Sequence, residues 1–220
     1  GYPVEIYDID LFDSSELLID SIQSSGSKAI CYFSAGSYEK WRPDVSEFSE
    51  ADLGETLAGW EDEKWLDIRS ANVRRIMQKR LDLAIQKGCN GVEPDNMDGY
   101  ANDSGFDLSA TDQLAFNRFI ANEAHKRGLS VGLKNDLDQV KQLVEYFDFS
   151  VNEQCHEFDE CDRLSPFIEA GKPVLNAEYE EKLITNAAKR QLLCDAAARE
   201  DFSTLILPVQ LDDSFRYSCP

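Results

Sequence analysis

The chain has 220 residues, 42% of them hydrophobic, which is enough for the core of one domain and lies at the short end for a (β/α)₈ barrel. Lysine and arginine number 22, and aspartate and glutamate number 42, so the formal net charge is −20. Such a surface repels nucleic acid and anionic membranes, so we expect neither as a partner, whereas it attracts a cationic ligand. The alternative interpretation is that the acidity serves only solubility. Charges interrupt the longest apolar runs, so no membrane span is predicted.

Strand-like apolar segments alternate with segments of helical periodicity, which is typical of an α/β fold with a parallel sheet. The eight predicted strands are 4–8, 28–34, 65–68, 91–95, 130–134, 147–152, 173–177 and 204–209. Helices fill most of the intervals; one begins at Ser109, and Gly26, Gly88 and Gly128 end three of them. Eight strands predict an α/β fold of the (β/α)₈ TIM-type barrel class, as a single domain over residues 1–220. The competing architecture is an open doubly wound sheet, which is disfavoured because no glycine-rich phosphate loop follows a predicted strand.

The longest stretch without predicted elements runs from residue 36 to residue 65. It contains Trp41, Trp60 and Trp65. Long loops in compact domains are commonly functional. The indole rings either stack on sugar faces or pin the loop to the rest of the fold.

Acidic residues recur where predicted strands end, at Asp8, Asp10, Asp67, Glu93, Asp95, Asp136, Glu153 and Glu178. The carboxyl ends of the strands line the active-site mouth of a βα barrel. Asp95 and Glu153 each follow an apolar strand, so we predict that they form the two-carboxylate pair of a glycosidase. Glu93 shares a strand face with Asp95, and crowding of carboxylates raises a pKa. The alternative for Glu93 is an ion pair with Arg69 or Lys134.

Two other classes of protein remain open at this point. A Mg²⁺-dependent enolase-type barrel would use carboxylates at Asp67, at Glu93 or Asp95, and at Asp136, with Lys134 nearby. The absence of a capping domain from 220 residues argues against that class. The non-enzyme alternative is a catalytically degenerate barrel that binds glycans. A serine triad is not supported, because the sequence has no G-x-S-x-G motif.

An even number of cysteines favours disulfides and an oxidising compartment, so we expect a secreted, extracellular protein. The six are Cys31, Cys89, Cys155, Cys161, Cys194 and Cys219. Cys155 and Cys161 are close enough to close a small ring beside Glu153. A zinc site that combines these two cysteines with His156 is the disfavoured alternative.

The sequence constrains the pairing of the other four cysteines less strongly. Cys194 and Cys219 are predicted to tie the last helix to the C-terminal tail. Cys31 and Cys89 either form the third disulfide or stay as buried thiols.

Several motifs, in order along nearly the whole chain, resemble glycoside hydrolase family 114. They are ICYFSAGSYE (30–39), WRPD (41–44), WLDIR (65–69), VEPDN (92–96), GLKND (132–136) and VNEQC (151–155). The resemblance implies a (β/α)₈ barrel with endo-α-1,4-polygalactosaminidase activity, which cleaves α-1,4-linked galactosamine chains internally. It also places the catalytic pair on Asp95 and Glu153.

From the residues and the resemblance together, we expect a metal-independent, cofactor-free monomer that acts on a cationic polysaccharide. Glu153 is the expected proton donor, and Asp95 is the expected nucleophile or electrostatic stabiliser. Since they end the predicted fourth and sixth strands, analogy with retaining α-galactosidase-type barrels favours retention of configuration. The residues expected to bind substrate are Asp8, Asp10, Tyr32, Asp67, Glu93, Asn96, Lys134, Asn135 and Glu178.

Overall fold

The computed structural model of the chain describes residues 2–219. These residues group into two compact units, which divide between Lys134 and Asn135. The single domain expected over residues 1–220 stays a prediction. Within residues 2–219, no helix combines the length and the apolar character needed to cross a membrane.

The first unit contains a parallel sheet and a smaller antiparallel sheet. Its elements are β1 (Ile6–Asp10), α1 (Glu16–Ser24), β2 (Lys28–Ser34), β3 (Ser37–Glu39), β4 (Leu53–Leu57), β5 (Trp60–Leu66), α2 (Ala71–Lys87), β6 (Gly91–Asp95), α3 (Ala110–Lys126) and β7 (Ser130–Lys134). Strands β1, β2, β6 and β7 pair in that order, and every pair is parallel. The predicted bounds of β2, β6 and β7 are confirmed, whereas β1 begins two residues later than predicted.

The segment that follows β2 departs from the prediction. Strand β5 pairs antiparallel with both β3 and β4, so the predicted parallel strand over 65–68 and the predicted structureless loop over 36–65 are both wrong. Gly59, at a φ of +85°, allows the tight turn between β4 and β5. Trp65 and Leu66 made the segment look like a parallel strand because a short apolar run has the same appearance in either kind of sheet.

Helix α2 shows how the sequence pattern produces the core of this unit. Its N-cap is Ser70, whose side chain accepts hydrogen bonds from the backbone N–H groups of Asn72 and Val73. Its C-cap is Gly88, in the left-handed region at a φ of +85°. Its buried residues recur at helical spacing and form one stripe, whose members are Val73, Ile76, Met77, Arg80, Leu81 and Ala84. Each large apolar member contributes about 1.5–3 kcal/mol through burial.

Arg80 is the polar member of that stripe, and it anchors the end of β2. Its side chain is 1% exposed and forms an ion pair with Asp44 at 2.8 Å. Its Nη1 also donates to the carbonyl oxygen of Ser34 at 2.6 Å. A buried guanidinium requires this kind of pairing. The end of β2 is therefore fixed from the helix side.

The second unit continues the alternation of strands and helices. Its elements are α4 (Val140–Leu143), β8 (Phe149–Glu153), α5 (Ser165–Glu169), β9 (Val174–Glu178), α6 (Glu181–Thr185), α7 (Ala187–Glu200), β10 (Phe202–Ile206) and β11 (Tyr217–Ser218). Strands β8, β9 and β10 pair in parallel, and β11, which the sequence analysis did not predict, adds antiparallel to β10. The predicted strands are correct in type but displaced by one to three residues at their ends.

Three disulfides form; two of them are the predicted pairs Cys155–Cys161 and Cys194–Cys219, and Cys31 and Cys89 form the third rather than stay as buried thiols. Because Cys155 and Cys161 are bonded to each other, neither offers the thiolate that a zinc site with His156 would need, so the zinc alternative is wrong. Cys194 is buried with Leu183 and Ile206.

Candidate functional site

The end of β6 is held by backbone contacts to the segment after β2. The N–H groups of Ala35 and Gly36 both donate to the carbonyl oxygen of Asp95, at 2.9 and 3.1 Å. A Cβ at Gly36 would lie 1.8 Å from the carbonyl oxygen of Asn96, so only glycine permits this approach. Asn96 itself has a φ of +59°, which turns the chain sharply away from the strand. The residue that ends β6 is thus placed by rigid backbone.

Both carboxylate oxygens of Asp95 are engaged. Oδ1 accepts from the backbone N–H of Asn96 at 2.7 Å and lies 3.5 Å from the Lys134 ammonium. Oδ2 accepts from the Tyr32 hydroxyl at 3.2 Å. The side chain is 19% exposed, so it is oriented by its neighbours and still reachable by a ligand.

Lys134 bridges two carboxylates. Its ammonium lies 2.7 Å from Glu93 Oε1 in a pair that is almost fully buried. Of the two bases considered for Glu93, Lys134 is therefore the partner. Burial raises the pKa of Glu93, and the Lys134 charge opposes that rise. The ammonium also supplies positive charge beside Asp95.

The groups around this pair have shifted pKa values. Desolvation, and then the negative charge of Glu93, raise the pKa of Asp8 well above its usual value, although the Asp8 side chain still reaches solvent. Burial and the charge of Asp95 raise the pKa of the Tyr32 hydroxyl, so that hydroxyl stays protonated and donates. Burial and the charge of Asp95 also raise the pKa of Asp98 to about 6. The cluster therefore gathers more carboxylates than its one buried cation neutralises.

In the second unit, Glu153 ends β8 and is held by neutral groups. The Tyr179 hydroxyl donates to Oε1 at 2.6 Å, and the Asn135 side-chain amide donates to Oε2 at 3.3 Å. The backbone N–H of Glu153 donates to Asn135 Oδ1 at 3.0 Å. Sequence reasoning missed Tyr179. Tyr179 lies directly after the end of β9. The acidic candidates were chosen because they lie where strands end, so the same criterion applied to polar residues in general would have found Tyr179.

Glu178 does not have the exposure expected of a substrate-binding residue. It is fully buried, and its Oε1 accepts from the Asn176 amide at 3.0 Å and from the backbone N–H of His156 at 2.9 Å. These contacts tie β9 to the small disulfide ring that begins at Cys155. Direct contact between Glu178 and a polysaccharide is therefore not supported, because the residue has no exposed surface.

Asp10 and Asp67 also have other partners. Asp10 lies 2.7 Å from Arg42, which is 2.7 Å from the buried Glu39 as well. Asp67 pairs with Arg69 at 2.8 Å and follows an antiparallel strand. The carboxylate set of an enolase-type magnesium site, which needs Asp67 at the end of a parallel strand, is therefore not supported.

The structure thus forms two groups of predicted site residues, one in each unit. The first brings together Asp8, Tyr32, Glu93, Asp95, Asn96 and Lys134. The second brings together Asn135 and Glu153, and adds Tyr179.

Comparisons with known proteins show the family of the chain. The family model described as glycoside-hydrolase family GH114 matches residues 1–220. The solved structure of Aspergillus fumigatus Ega3 in complex with galactosamine is similar, with 47% identity, a TM-score of 0.94, and coverage of 99% of this chain and 88% of that chain. No curated protein sequence matches the chain.

More distant structures share the fold. The glycoside hydrolase domain of PelA from Pseudomonas aeruginosa is 13% identical, with a TM-score of 0.73 and coverage of 98% of this chain and 91% of that one. A trehalulose synthase MutB mutant in complex with Tris is 8% identical, with a TM-score of 0.61 and coverage of 87% and 51%. These likenesses show the predicted fold class, α/β of the TIM-barrel type. The chain is a glycosidase and belongs to glycoside hydrolase family GH114.

Proposed function

We propose that the protein is an endo-acting glycoside hydrolase that cleaves an α-1,4-linked galactosamine polymer, an exopolysaccharide of the galactosaminogalactan type. The observation that carries the proposal is 47% identity over 99% of the chain to a protein whose solved structure holds galactosamine. The net charge of −20 supports it, because de-N-acetylated galactosamine units carry ammonium groups and form a polycation. The three disulfides support secretion into an extracellular, oxidising environment. We expect a monomer.

Asp95 is assigned as the nucleophile or electrostatic stabiliser. A carboxylate in that role must be anionic, oriented and reachable. The ammonium of Lys134 lies 3.5 Å away, the Tyr32 hydroxyl and the Asn96 N–H fix the two oxygens, and the side chain keeps 19% of its surface exposed. These contacts support attack on the anomeric carbon of a bound sugar.

Glu153 is assigned as the proton donor. In a retaining mechanism, it protonates the glycosidic oxygen while Asp95 forms an ester with the anomeric carbon. Glu153 then takes a proton from the water that hydrolyses this ester, which returns both carboxyl groups to their starting states. The hydrogen bonds from Tyr179 and Asn135 support the role, since they fix the direction in which the carboxyl group points.

Substrate contacts are assigned to the polar groups beside the catalytic carboxylates. Asp8 is the acidic residue of the first group with the largest exposure, and a ligand ammonium at this carboxyl would favour its ionised form. Asn96 and Asn135 offer amide groups for sugar hydroxyls. Substrate binding by Asp8 and its neighbours would thus relieve the repulsion within the acidic cluster.

The test is incubation with de-N-acetylated galactosaminan and, in parallel, with fully N-acetylated polymer, followed by mass analysis of the products. We expect galactosamine oligomers from the first polymer and little cleavage of the second. The value of kcat/KM should fall as salt rises, because exposed charges are screened over roughly 8–10 Å at physiological ionic strength. Equal cleavage of both polymers, or release of monosaccharide alone, would contradict the proposal.

A further inference from the structure

A buried hydrogen-bonded chain leads from strand β5 to Asn96, the residue that follows Asp95. Ser37 Oγ lies 2.8 Å from Glu63 Oε2, Ser34 Oγ lies 2.6 Å from Ser37 Oγ, and Ser34 Oγ lies 2.7 Å from Asn96 Oδ1. The two serines are fully buried and Glu63 is 8% exposed. No predicted site residue except Asn96 belongs to this chain of contacts.

The number of available hydrogens determines which group donates each of these hydrogen bonds. The three oxygen–oxygen contacts each need one hydrogen, and the two serine hydroxyls supply only two. Asn96 Oδ1 can only accept, so Ser34 donates to it and Ser37 donates to Ser34. The third hydrogen, between Ser37 and Glu63, must then come from a protonated Glu63 carboxyl group.

An ionised Glu63 would reverse every hydrogen bond. Ser37 would donate to Glu63, Ser34 would donate to Ser37, and the amide nitrogen of Asn96 would have to donate to Ser34. The proton on Glu63 and the orientation of the Asn96 amide are therefore linked. When Glu63 is protonated, the side-chain N–H groups of Asn96 point away from Ser34. When Glu63 is ionised, the side-chain carbonyl oxygen of Asn96 points away from Ser34.

We propose that Glu63 is a positioning residue that holds a proton and, through Ser37 and Ser34, makes Asn96 present amide N–H donors to substrate. This inference rests on the proposed function, since it names the group that Asn96 recognises. Amide N–H groups bind a hydroxyl or ether oxygen of the sugar, and they reject an ammonium, which offers only hydrogens. Asn96 would therefore select a hydroxyl position of the galactosamine unit, while the neighbouring carboxylates take its ammonium.

The surroundings of Glu63 support its protonated form. Burial raises its pKa, and the negative charges of Glu39 on β3 and Asp95 on β6 raise it further. The hydrogen bond that Ser37 would donate to an ionised Glu63 and the charge of Arg42 oppose the rise without cancelling it. Arg42 is itself engaged by Glu39 at 2.7 Å.

The rest of the chain of contacts is held rigidly. The Ser37 N–H donates to Ser34 Oγ at 3.0 Å, and the Ser34 carbonyl accepts from Arg80 at 2.6 Å. Gly36 lies against the Asn96 backbone. Because these contacts hold the two serines and the Asn96 backbone in place, we expect a change in the protonation of Glu63 to be relieved by rotation of the Asn96 amide.

The direct test measures the proton without substrate. Infrared difference spectra between wild type and E63Q at neutral pH should show one protonated-carboxyl C=O stretching band that E63Q lacks. E61Q, which changes an exposed carboxylate on the same strand, is the matched control and should leave that band in place. Absence of the band from the difference spectrum would overturn the proposal, whatever the enzyme cleaves.

The kinetic test uses E63A and E63Q on the galactosamine polymer. E63A removes the donor to Ser37, so the side-chain amide of Asn96 is no longer held in one orientation. We expect about a tenfold loss in kcat/KM as a result. In E63Q the glutamine amide donates to Ser37 at every pH. It should therefore recover most of that loss and abolish the rise in KM that we expect of wild type when Glu63 loses its proton. Equal losses in both variants, with melting temperatures near wild type, would contradict the role of the proton. If wild type does not cleave this polymer, the proposed function fails while the infrared result still decides the state of Glu63.

Discussion

The ends of strands β6 and β8 differ in the chemistry that surrounds their carboxylates. Asp95, at the end of β6, lies beside the charged groups Lys134 and Glu93 and accepts from Tyr32. Glu153, at the end of β8, is held by the neutral donors Tyr179 and Asn135. Two carboxyl groups acquire separate roles when their environments differ in charge. This contrast supports the assignment of the anionic role to Asp95 and the proton-transfer role to Glu153.

The backbone at the two strand ends is similar. Asn96 follows Asp95 with a φ of +59°, and Gln154 follows Glu153 with a φ of +63°. Left-handed backbone in a residue other than glycine costs about 1 kcal/mol or more, and such strain is common at functional sites. The same sharp turn therefore follows both Asp95 and Glu153. The difference between the two carboxyl groups comes from the side chains that surround them.

Removal of either carboxylate should have the largest effect. We expect Asp95→Asn and Glu153→Gln each to lower kcat by roughly two to four orders of magnitude, because each removes a group proposed to act on the reacting bond. The measurement is the initial rate on galactosamine polymer. Asp20→Asn and Glu169→Gln change exposed carboxylates in the same two units and should stay near wild type. Near-wild-type turnover by either site variant would remove its residue from the mechanism.

Loss of the charge beside Asp95 should have the next largest effect. Lys134→Met removes the ammonium, and we expect kcat to fall about 10- to 100-fold through lost electrostatic stabilisation. It also leaves Glu93 buried without its partner, which should cost about 3–5 kcal/mol in the free energy of unfolding. Urea unfolding and steady-state kinetics measure the two effects.

A double variant separates stability from activity at Lys134. In E93Q/K134M the buried negative charge is absent, so the free energy of unfolding should recover while kcat stays low. Lys126→Met is the control, because Lys126 is exposed and its partner Glu123 keeps an ion pair with Arg127; it should change neither quantity by much. Recovery of kcat together with stability would show that Lys134 has only a structural role.

Tyr179→Phe should have a smaller effect, confined to the Glu153 region. It removes the 2.6 Å hydrogen bond to Oε1 and should lower kcat about tenfold, with the free energy of unfolding changed by no more than about 1 kcal/mol. Tyr217→Phe, on the edge strand β11 of the same unit, is the matched control. A change in KM with kcat unaltered would place Tyr179 in substrate binding rather than in positioning Glu153.

The last expected effect is on stability rather than on activity, as a change in the pH dependence of the free energy of unfolding at Asp98. Its pKa in the folded protein is about 6, against an ordinary value of 3.8. Between those values the folded state binds the proton more tightly than the unfolded state. The free energy of unfolding therefore falls as pH rises through this range, by at most about 3 kcal/mol from this group.

Asp98→Asn should flatten that fall. Urea unfolding at pH 4 and pH 7, compared with wild type and with Asp20→Asn, measures the difference. An unchanged dependence of the free energy of unfolding on pH in Asp98→Asn would show that the fold does not raise the pKa of Asp98.

The sequence by itself determined the elements whose signals are local. Apolar runs between polar turns set the bounds of β2, β6 and β7, and the helical stripe closed by Gly88 set α2. The spacing of Cys155 and Cys161 set the small disulfide ring. Each of these features depends on residues that are near one another in the chain, so each leaves a pattern that can be read without the fold.

Tertiary structure alone decided the features that depend on distant residues. The antiparallel sheet of β3, β4 and β5 was not predicted, because short strands acquire their pairing from their partners. The partners of Tyr179 and Glu63 lie 26 residues away in sequence, at Glu153 and Ser37 respectively. No periodicity or spacing marks such contacts, since a hydrogen bond forms only after the chain has brought the two groups together.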